Sequence, residues 1–310
     1  MKNTKEGTEK LGLRAAMLLL IGLFGAWLFL LGWPNISYGQ LYNGTYLVNT
    51  TVNITNSAPQ ITAVAIDSPI NLNSYNTKTV YCNLSLYDYD NDTVDVKGIL
   101  YLYGQTLPNN TNDGNNHYTN TSCSRIGNQD IYMNYTCGFD VQYFANNATQ
   151  WLCNLTVSDG GKINASNNTG YATINPLVAI KMDPILDYGQ LESGDTSNDT
   201  IANITNAGNR DANISVKGYG AAENDNLAFV CTYGTIALNY EKYFRTNGTA
   251  YVSMNVLTIS NAMLDNYWVP QRVSETAESV NSTYWKIFIP AGAGGVCNGK
   301  ILFTASDRGN

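Results

Sequence analysis

The sequence predicts an all-β protein, with two tandem β-sandwiches carried behind an N-terminal transmembrane helix. Three observations lead there. The chain has 310 residues, room for about two domains of ~150 residues once an N-terminal segment is set aside. Only 13% of residues are charged and 44% are hydrophobic, with 22 Tyr against 8 Phe and 5 Trp; such a composition favours pleated structure over helix or disorder. From Ile61 onward, short alternating apolar runs are broken by Gly, Asn, Asp and Pro clusters, with no sustained helical period. A net charge of −7 makes nucleic acid an unsuitable partner, because phosphate binding draws on clustered Lys and Arg.

The elements follow in chain order. Residues 1–14 form a basic cytoplasmic segment containing Lys2, Lys5, Lys10 and Arg14, and an uncharged apolar run occupies 15–33. At ~1.5 Å per residue that run spans ~28 Å, close to the hydrocarbon thickness of a bilayer. No Lys or Arg follows until Lys78, so the positive-inside rule exports the rest of the chain. The run reads as a signal-anchor, giving a single-pass membrane protein at the cell surface with an extracellular C-terminal region. Small residues at Ser37 and Gly39 leave open the alternative of a signal peptide ending at 39 and a secreted product. Residues 40–57 form a polar, glycosylated tether with one alternating stretch, Val52 and Ile54.

The spacing of asparagine carries the compartment. With 41 Asn and 48 Ser plus Thr in the chain, chance gives about 6 Asn-x-Ser/Thr acceptor sites, and the sequence has 18. They are Asn35, Asn43, Asn49, Asn53, Asn83, Asn91, Asn109, Asn120, Asn134, Asn147, Asn154, Asn164, Asn167, Asn198, Asn203, Asn213, Asn247 and Asn281. The excess points to an exported N-glycoprotein. Six cysteines in an exported chain read as three disulfides. Strand phase aligns Cys82 with Leu84 and Leu86, and Cys153 with Leu155 and Val157, so that Cys82 and Cys153 meet in one core. Cys231 shares a phase with Leu227 and Phe229, and Cys297 with Ile301 and Phe303, giving a second pair across a second core. Cys123 and Cys137 remain, to close a short loop worth ~3 kcal/mol by chain entropy.

The first sandwich is expected over 58–175 and the second over 177–310, with Asn175-Pro176 between them. In the second, Ile201 to Val216, Leu227 to Tyr233, Tyr251 to Ile259, Trp285 to Ile289 and Gly299 to Ala305 read as strands, and Asp265 to Ser282 as a short helix or an open loop. Asn56-Ser57-Ala58-Pro59, Tyr81-Cys82-Asn83-Leu84-Ser85-Leu86-Tyr87-Asp88 and Trp151-Leu152-Cys153-Asn154-Leu155-Thr156-Val157-Ser158-Asp159-Gly160 resemble the PKD and cadherin-like repeats of prokaryotic surfaces. This resemblance implies an Ig-like sandwich. Leu186-Asp187-Tyr188-Gly189, Gly194-Asp195-Thr196 and the run from Thr200 to Asn209 resemble CARDB-type adhesion modules and camelysin or TasA-like fibre subunits. Together with the acceptor sites these likenesses imply two Ig-like or jelly-roll-type sandwiches in an archaeal-style envelope glycoprotein.

Candidate chemistry is sparse. Asp88, Asp90, Asp92 and Asp95 alternate in one loop, a supply of hard oxygens that suits calcium, although the Gly and Glu positions of an EF-hand are missing. The cadherin-like resemblance adds Asp183 and Asp187 as further candidate ligands. No other cofactor is expected. His117, the single His, sits in a polar stretch that reads as an exposed loop, with no nucleophile beside it in sequence. No catalytic residue is assigned and no enzyme is expected. The expected function is a membrane-anchored, N-glycosylated extracellular surface protein with a structural or adhesive role, held to the membrane by its helix and meeting other surface proteins or glycans. One alternative is a secreted fibre or lattice subunit that self-assembles by strand addition, with Val52 to Thr55 as the added strand. Another is a carbohydrate-binding protein or glycan-active enzyme.

Overall fold

A computed structural model describes residues 40–42, 44–92, 94–104, 112–160 and 164–309. The expected membrane run at 15–33, the cleavage position before Gln40 and the acceptor sites Asn35, Asn43 and Asn109 lie outside the described residues. Among the described residues, no helix is long and apolar enough to cross a membrane.

The chain divides into two compact units, Met1–Ile54 and Thr55–Asn310. In the first, β1 (Gln40–Tyr42) and β2 (Thr45–Leu47) pair antiparallel around Gly44, whose φ of 85° suits a residue without a Cβ. The tether thus contains a hairpin that its polarity had hidden. Residues 48–54 join no ladder, and Tyr46, Leu47, Val48, Val52 and Ile54 are all exposed.

The larger unit is all-β and holds two hydrophobic cores. Around the first core lie β3 (Gln60–Ile66), β4 (Lys78–Tyr87), β5 (Val94–Leu102), β6 (His117–Asn120), β7 (Ser124–Gln129), β8 (Tyr132–Val141), β9 (Ala148–Asp159) and β10 (Asn164–Ile174). They form two antiparallel sheets, β3-β4-β8-β7 and β10-β9-β5-β6. Period-2 alternation decides what each strand buries. Val80, Cys82, Leu84 and Leu86 of β4 face Trp151, Cys153, Leu155 and Val157 of β9 in the same core. The Cys82–Cys153 disulfide joins the two sheets, and Cys123–Cys137 ties the approach to β7 onto β8. Trp151 is fully buried, and its indole N–H is satisfied by the Asn146 carbonyl at 2.9 Å.

Around the second core lie β11 (Ile180–Met182), β12 (Thr200–Asn206), β13 (Ala212–Tyr219), β14 (Leu227–Tyr233), β15 (Thr235–Ala237), β16 (Glu241–Phe244), β17 (Asn255–Val256), β18 (Ala262–Val269), β19 (Val280–Ile287), β20 (Gly294–Asn298) and β21 (Lys300–Asp307). Their sheets run β11-β12-β19-β16-β17, β18-β13-β21 and β15-β14-β20. Four sequence expectations change here. Tyr251 to Ile259 is not one strand: a 3-10 turn takes Tyr251–Ser253, and only Asn255–Val256 pair, as β17. The run Ile201 to Val216 is two strands, broken between Asn206 and Ala212. Asp265 to Ser282 is neither helix nor open loop: it contains the end of β18 and the start of β19, and the ten residues between them dock on the first sandwich. Cys231 and Cys297 are register partners on the paired strands β14 and β20, so their disulfide staples one sheet and does not cross the core.

The two sandwiches meet through buried amides. Asn209, fully buried, donates to the carbonyls of Ala145 at 3.0 Å and Asn175 at 3.1 Å and accepts from the Leu177 amide at 2.6 Å. Asn115 donates to the carbonyls of Phe144 at 3.0 Å and Arg272 at 2.9 Å. Gln271 reaches the Phe144 carbonyl as well, and the Arg272 guanidinium lies 4.6 Å from the Phe144 ring centre. Every one of these donors is paired, which is what makes a polar junction tolerable away from water.

Candidate functional site

Two places in the larger unit have chemistry that the fold itself does not use up. The first is the loop between β4 and β5. Asp88 ends the inward phase of β4 and is fully buried, while Asp90 and Asp92 are partly exposed. Between them Asn91 takes a φ of 53°, a left-handed turn that asparagine tolerates, and its side chain is exposed. One oxygen from each of Asp88, Asp90 and Asp92 lies within 4.8 Å of the others. Asp88 Oδ2, Asp90 Oδ1 and Asp92 Oδ1 are buried atoms without a hydrogen-bond partner. Ser57 of the preceding segment meets two of these carboxylates, its amide donating to Asp90 Oδ2 at 2.6 Å and its hydroxyl to Asp88 Oδ1 at 3.4 Å, while Asn56 donates to Asp159 Oδ2, at the end of β9, at 3.2 Å. Burial, then the neighbouring Asp90 and Asp92, push the Asp88 carboxyl up to about 6. The Ser57 amide contributes most to holding Asp90 below its ordinary value.

The other sequence candidates separate from this group. Asp95 is exposed on β5, opposite Ser158. Asp187 caps its own turn by accepting from the Gly189 amide at 2.8 Å, and Asp183 borders the second sandwich. His117 is 1% exposed, against the exposed loop expected, because it opens β6 opposite Tyr101. What sequence reading missed is Ser57, whose amide and hydroxyl bond to the acidic loop although it lies about thirty residues upstream.

The second place is an open groove of about 550 Å³ in the second sandwich, between β11–β12 and β21, where Ile180, Ile301 and Phe303 stand beside Asp183, Asn203 and Lys300. β13 buries every second residue, whereas the inward residues of the neighbouring β21, Ile301 and Phe303, stay half-buried and Leu302 is 43% exposed. No strand pairs with the outer edge of β21 among the described residues. An irregular strap, residues 183–191, crosses this side and packs Leu186, Tyr188 and Leu191 against the core. Tyr188 donates to Glu241 Oε1 at 2.7 Å, and burial pushes the Glu241 carboxyl up to about 7.

The fourteen acceptor asparagines whose side chains are described, from Asn49 to Asn281, are exposed or half-buried and none is buried. Asn115, Asn206 and Asn209, which are buried, all lie outside acceptor motifs.

No protein-family model and no curated protein matches the chain. Among solved structures, it is similar to the CsuC-CsuE chaperone and tip adhesion subunit pre-assembly complex of Acinetobacter baumannii, at 11% identity and a TM-score of 0.38, covering 78% of this chain and 99% of that one. A chaperone and tip adhesin complex of CFA/I fimbriae gives 9% identity and a TM-score of 0.28, covering 81% of this chain and 83% of that one. The CupB6 tip adhesin of Pseudomonas aeruginosa gives 10% and 0.22, covering 81% of this chain and 93% of that one.

Proposed function

We propose that the chain is an exported, N-glycosylated surface protein, anchored by its N-terminal apolar segment, whose two β-sandwiches serve a structural or adhesive role without catalysis. One observation carries the reading: among the described side chains every acceptor asparagine is exposed or half-buried, while the asparagines that the fold buries are free of acceptor motifs. A glycan cannot be accommodated inside a close-packed core, so a chain modified at many sites needs this segregation. Three disulfides and no free cysteine among the described residues support an oxidising compartment. The reading includes the PKD or cadherin-like and CARDB or camelysin-like kinship and an archaeal-type envelope. Intact mass of the protein from its native membrane, before and after deglycosylation, is the test. A mass far above the 33.9 kDa of the polypeptide, falling on deglycosylation and recovered in the membrane fraction, is expected; an exported chain at the bare polypeptide mass would overturn the reading.

A specific observation favours assembly as a second reading. Tyr46, Val48, Thr50, Val52 and Ile54 alternate on one face, and Asn49 and Asn53 fall on the other. The second sandwich meanwhile offers a half-open core beside an unpaired edge. A strand with that pattern from a second copy would hydrogen-bond along β21 and bury its apolar face in the groove. Negative-stain microscopy of concentrated protein should show end-to-end assemblies that V52D/I54D abolishes. Strictly single particles of the unsubstituted protein would refute this reading.

A further inference from the structure

We propose that Asp88, Asp90 and Asp92 form a calcium site that clamps the segment Asn56-Ser57 onto the pole of the first sandwich. A solvated acidic turn would point its carboxylates at water, where each charge is cheaply hydrated. Here Asp88 has no exposed surface, and one oxygen of each of the three side chains is buried and unpaired. A carboxylate oxygen left that way costs free energy unless something positive meets it. One carboxylate oxygen from each of the three side chains lies within 4.8 Å of the others, so a single ion can meet all three residues at once. Hard carboxylate oxygens, two of them on side chains with access to water, suit a cation that accepts an irregular shell of six to eight oxygens, and calcium does so where magnesium demands a near-ideal octahedron. The Ser57 amide and hydroxyl hold Asp90 Oδ2 and Asp88 Oδ1, the partners of the two unpaired oxygens on those side chains, which fixes both carboxylates in place. The exposed side chain of Asn91 leaves room for a glycan on the same loop.

The test uses the purified full-length protein, stripped with EDTA and titrated calorimetrically with calcium chloride and, separately, with magnesium chloride, while thermal unfolding is followed at each concentration. One calcium per chain and a Tm that rises with calcium but not with equal magnesium are expected. Asp88→Asn should raise Tm in the absence of calcium, because it removes a buried charge, and should abolish the calcium-dependent rise. Asp92→Asn should weaken calcium binding about tenfold or more at unchanged circular dichroism. Asp95→Asn, on an outward strand position, should bind as the unsubstituted protein does. No binding up to ~10 mM calcium, an equal response to magnesium, or Asp92→Asn binding with unchanged affinity would overturn the proposal.

Discussion

Glu241→Gln tests how the second core tolerates a carboxyl. Glu241 opens β16 and is 2% exposed, and its one hydrogen-bonding side-chain partner is the Tyr188 hydroxyl. Burial pushes the carboxyl from an ordinary 4.5 up to about 7, and the Tyr188 hydrogen bond offsets only part of that. Below 4.5 the group is protonated in the folded and unfolded chain alike, and it costs nothing. Between 4.5 and about 7 the folded chain keeps a proton that the unfolded chain has released, so stability falls as pH rises through this window. Above it the loss is complete, and the difference between the two values, at ~1.4 kcal/mol per pH unit, is roughly 3 kcal/mol. About 2.5 kcal/mol of that develops between about pH 5 and about pH 8. Urea unfolding of both proteins at those two pH values measures it. The unsubstituted protein should lose about 2.5 kcal/mol more than E241Q, because Gln retains an acceptor for Tyr188 and has no charge to bury. Parallel losses in the two proteins would show that Glu241 is ionised and paired in the fold, and the reasoning from burial would fail.

Four further outcomes follow from the same structure. Replacing Cys82 and Cys153 together by Ala should cost about 4 kcal/mol from the freed loop plus a cavity term, whereas replacing half-buried Cys231 and Cys297 should cost about 4 kcal/mol without the cavity; urea midpoints of the two double variants rank them, and a greater loss for the second would contradict the packing. Gly208→Ala would set a Cβ 2.1 Å from the Leu177 carbonyl oxygen, so thermal unfolding should show a loss of about 3 kcal/mol or more, and Asn209→Ala, which strands partners on both sandwiches, should expose the 175–178 segment to protease. If the groove takes a strand, a synthetic Tyr46–Thr55 peptide should bind more tightly at about pH 5 than at about pH 8, since excluding water from Glu241 favours its neutral form; fluorescence titration of E241Q should lose that dependence, and its persistence in E241Q would break the link.

How much of this was legible in the sequence depends on the kind of information each residue carries. Period-2 alternation states which face a side chain takes, so Cys82 and Cys153 could be placed in one core, and Asn83 and Asn154 outside it, before any contact was known. Alternation does not state which strands pair. Cys231 and Cys297 therefore appeared to face each other across a core, when they are neighbours on β14 and β20. The acidic loop was visible as a run of alternating Asp, but its separation into three convergent carboxylates and an outward Asp95 depends on where β5 begins, and its contact with Ser57 on chain folding over a distance that local pattern cannot report. The junction was hidden for a related reason. Asn115 and Asn209 look like turn residues, and they are; their burial comes from the other sandwich arriving at the same turns.

The open side of the second sandwich is the feature that no local reading could supply, and its cause lies in the strap. Residues 183–191 pass where an edge strand would close the core, but Pro184 has no amide to donate and Gly189 sits at a φ of 76° beside the Asp187 turn. A chain so constrained cannot form a ladder with β21. It covers the core with Leu186, Tyr188 and Leu191 and, among the described residues, leaves the backbone edge of β21 unpaired. An unpaired edge beside half-buried Ile301 and Phe303 is a template for another strand, and proteins that expose such edges without purpose aggregate. Natural edges are blunted by charge, bulges or proline. Here Lys300 and Asp307 stand at the two ends of β21, and the six residues between them, Ile301 to Ser306, carry no charge. The edge is therefore undefended along its middle, and the polypeptide that covers its core side does so without pairing with it.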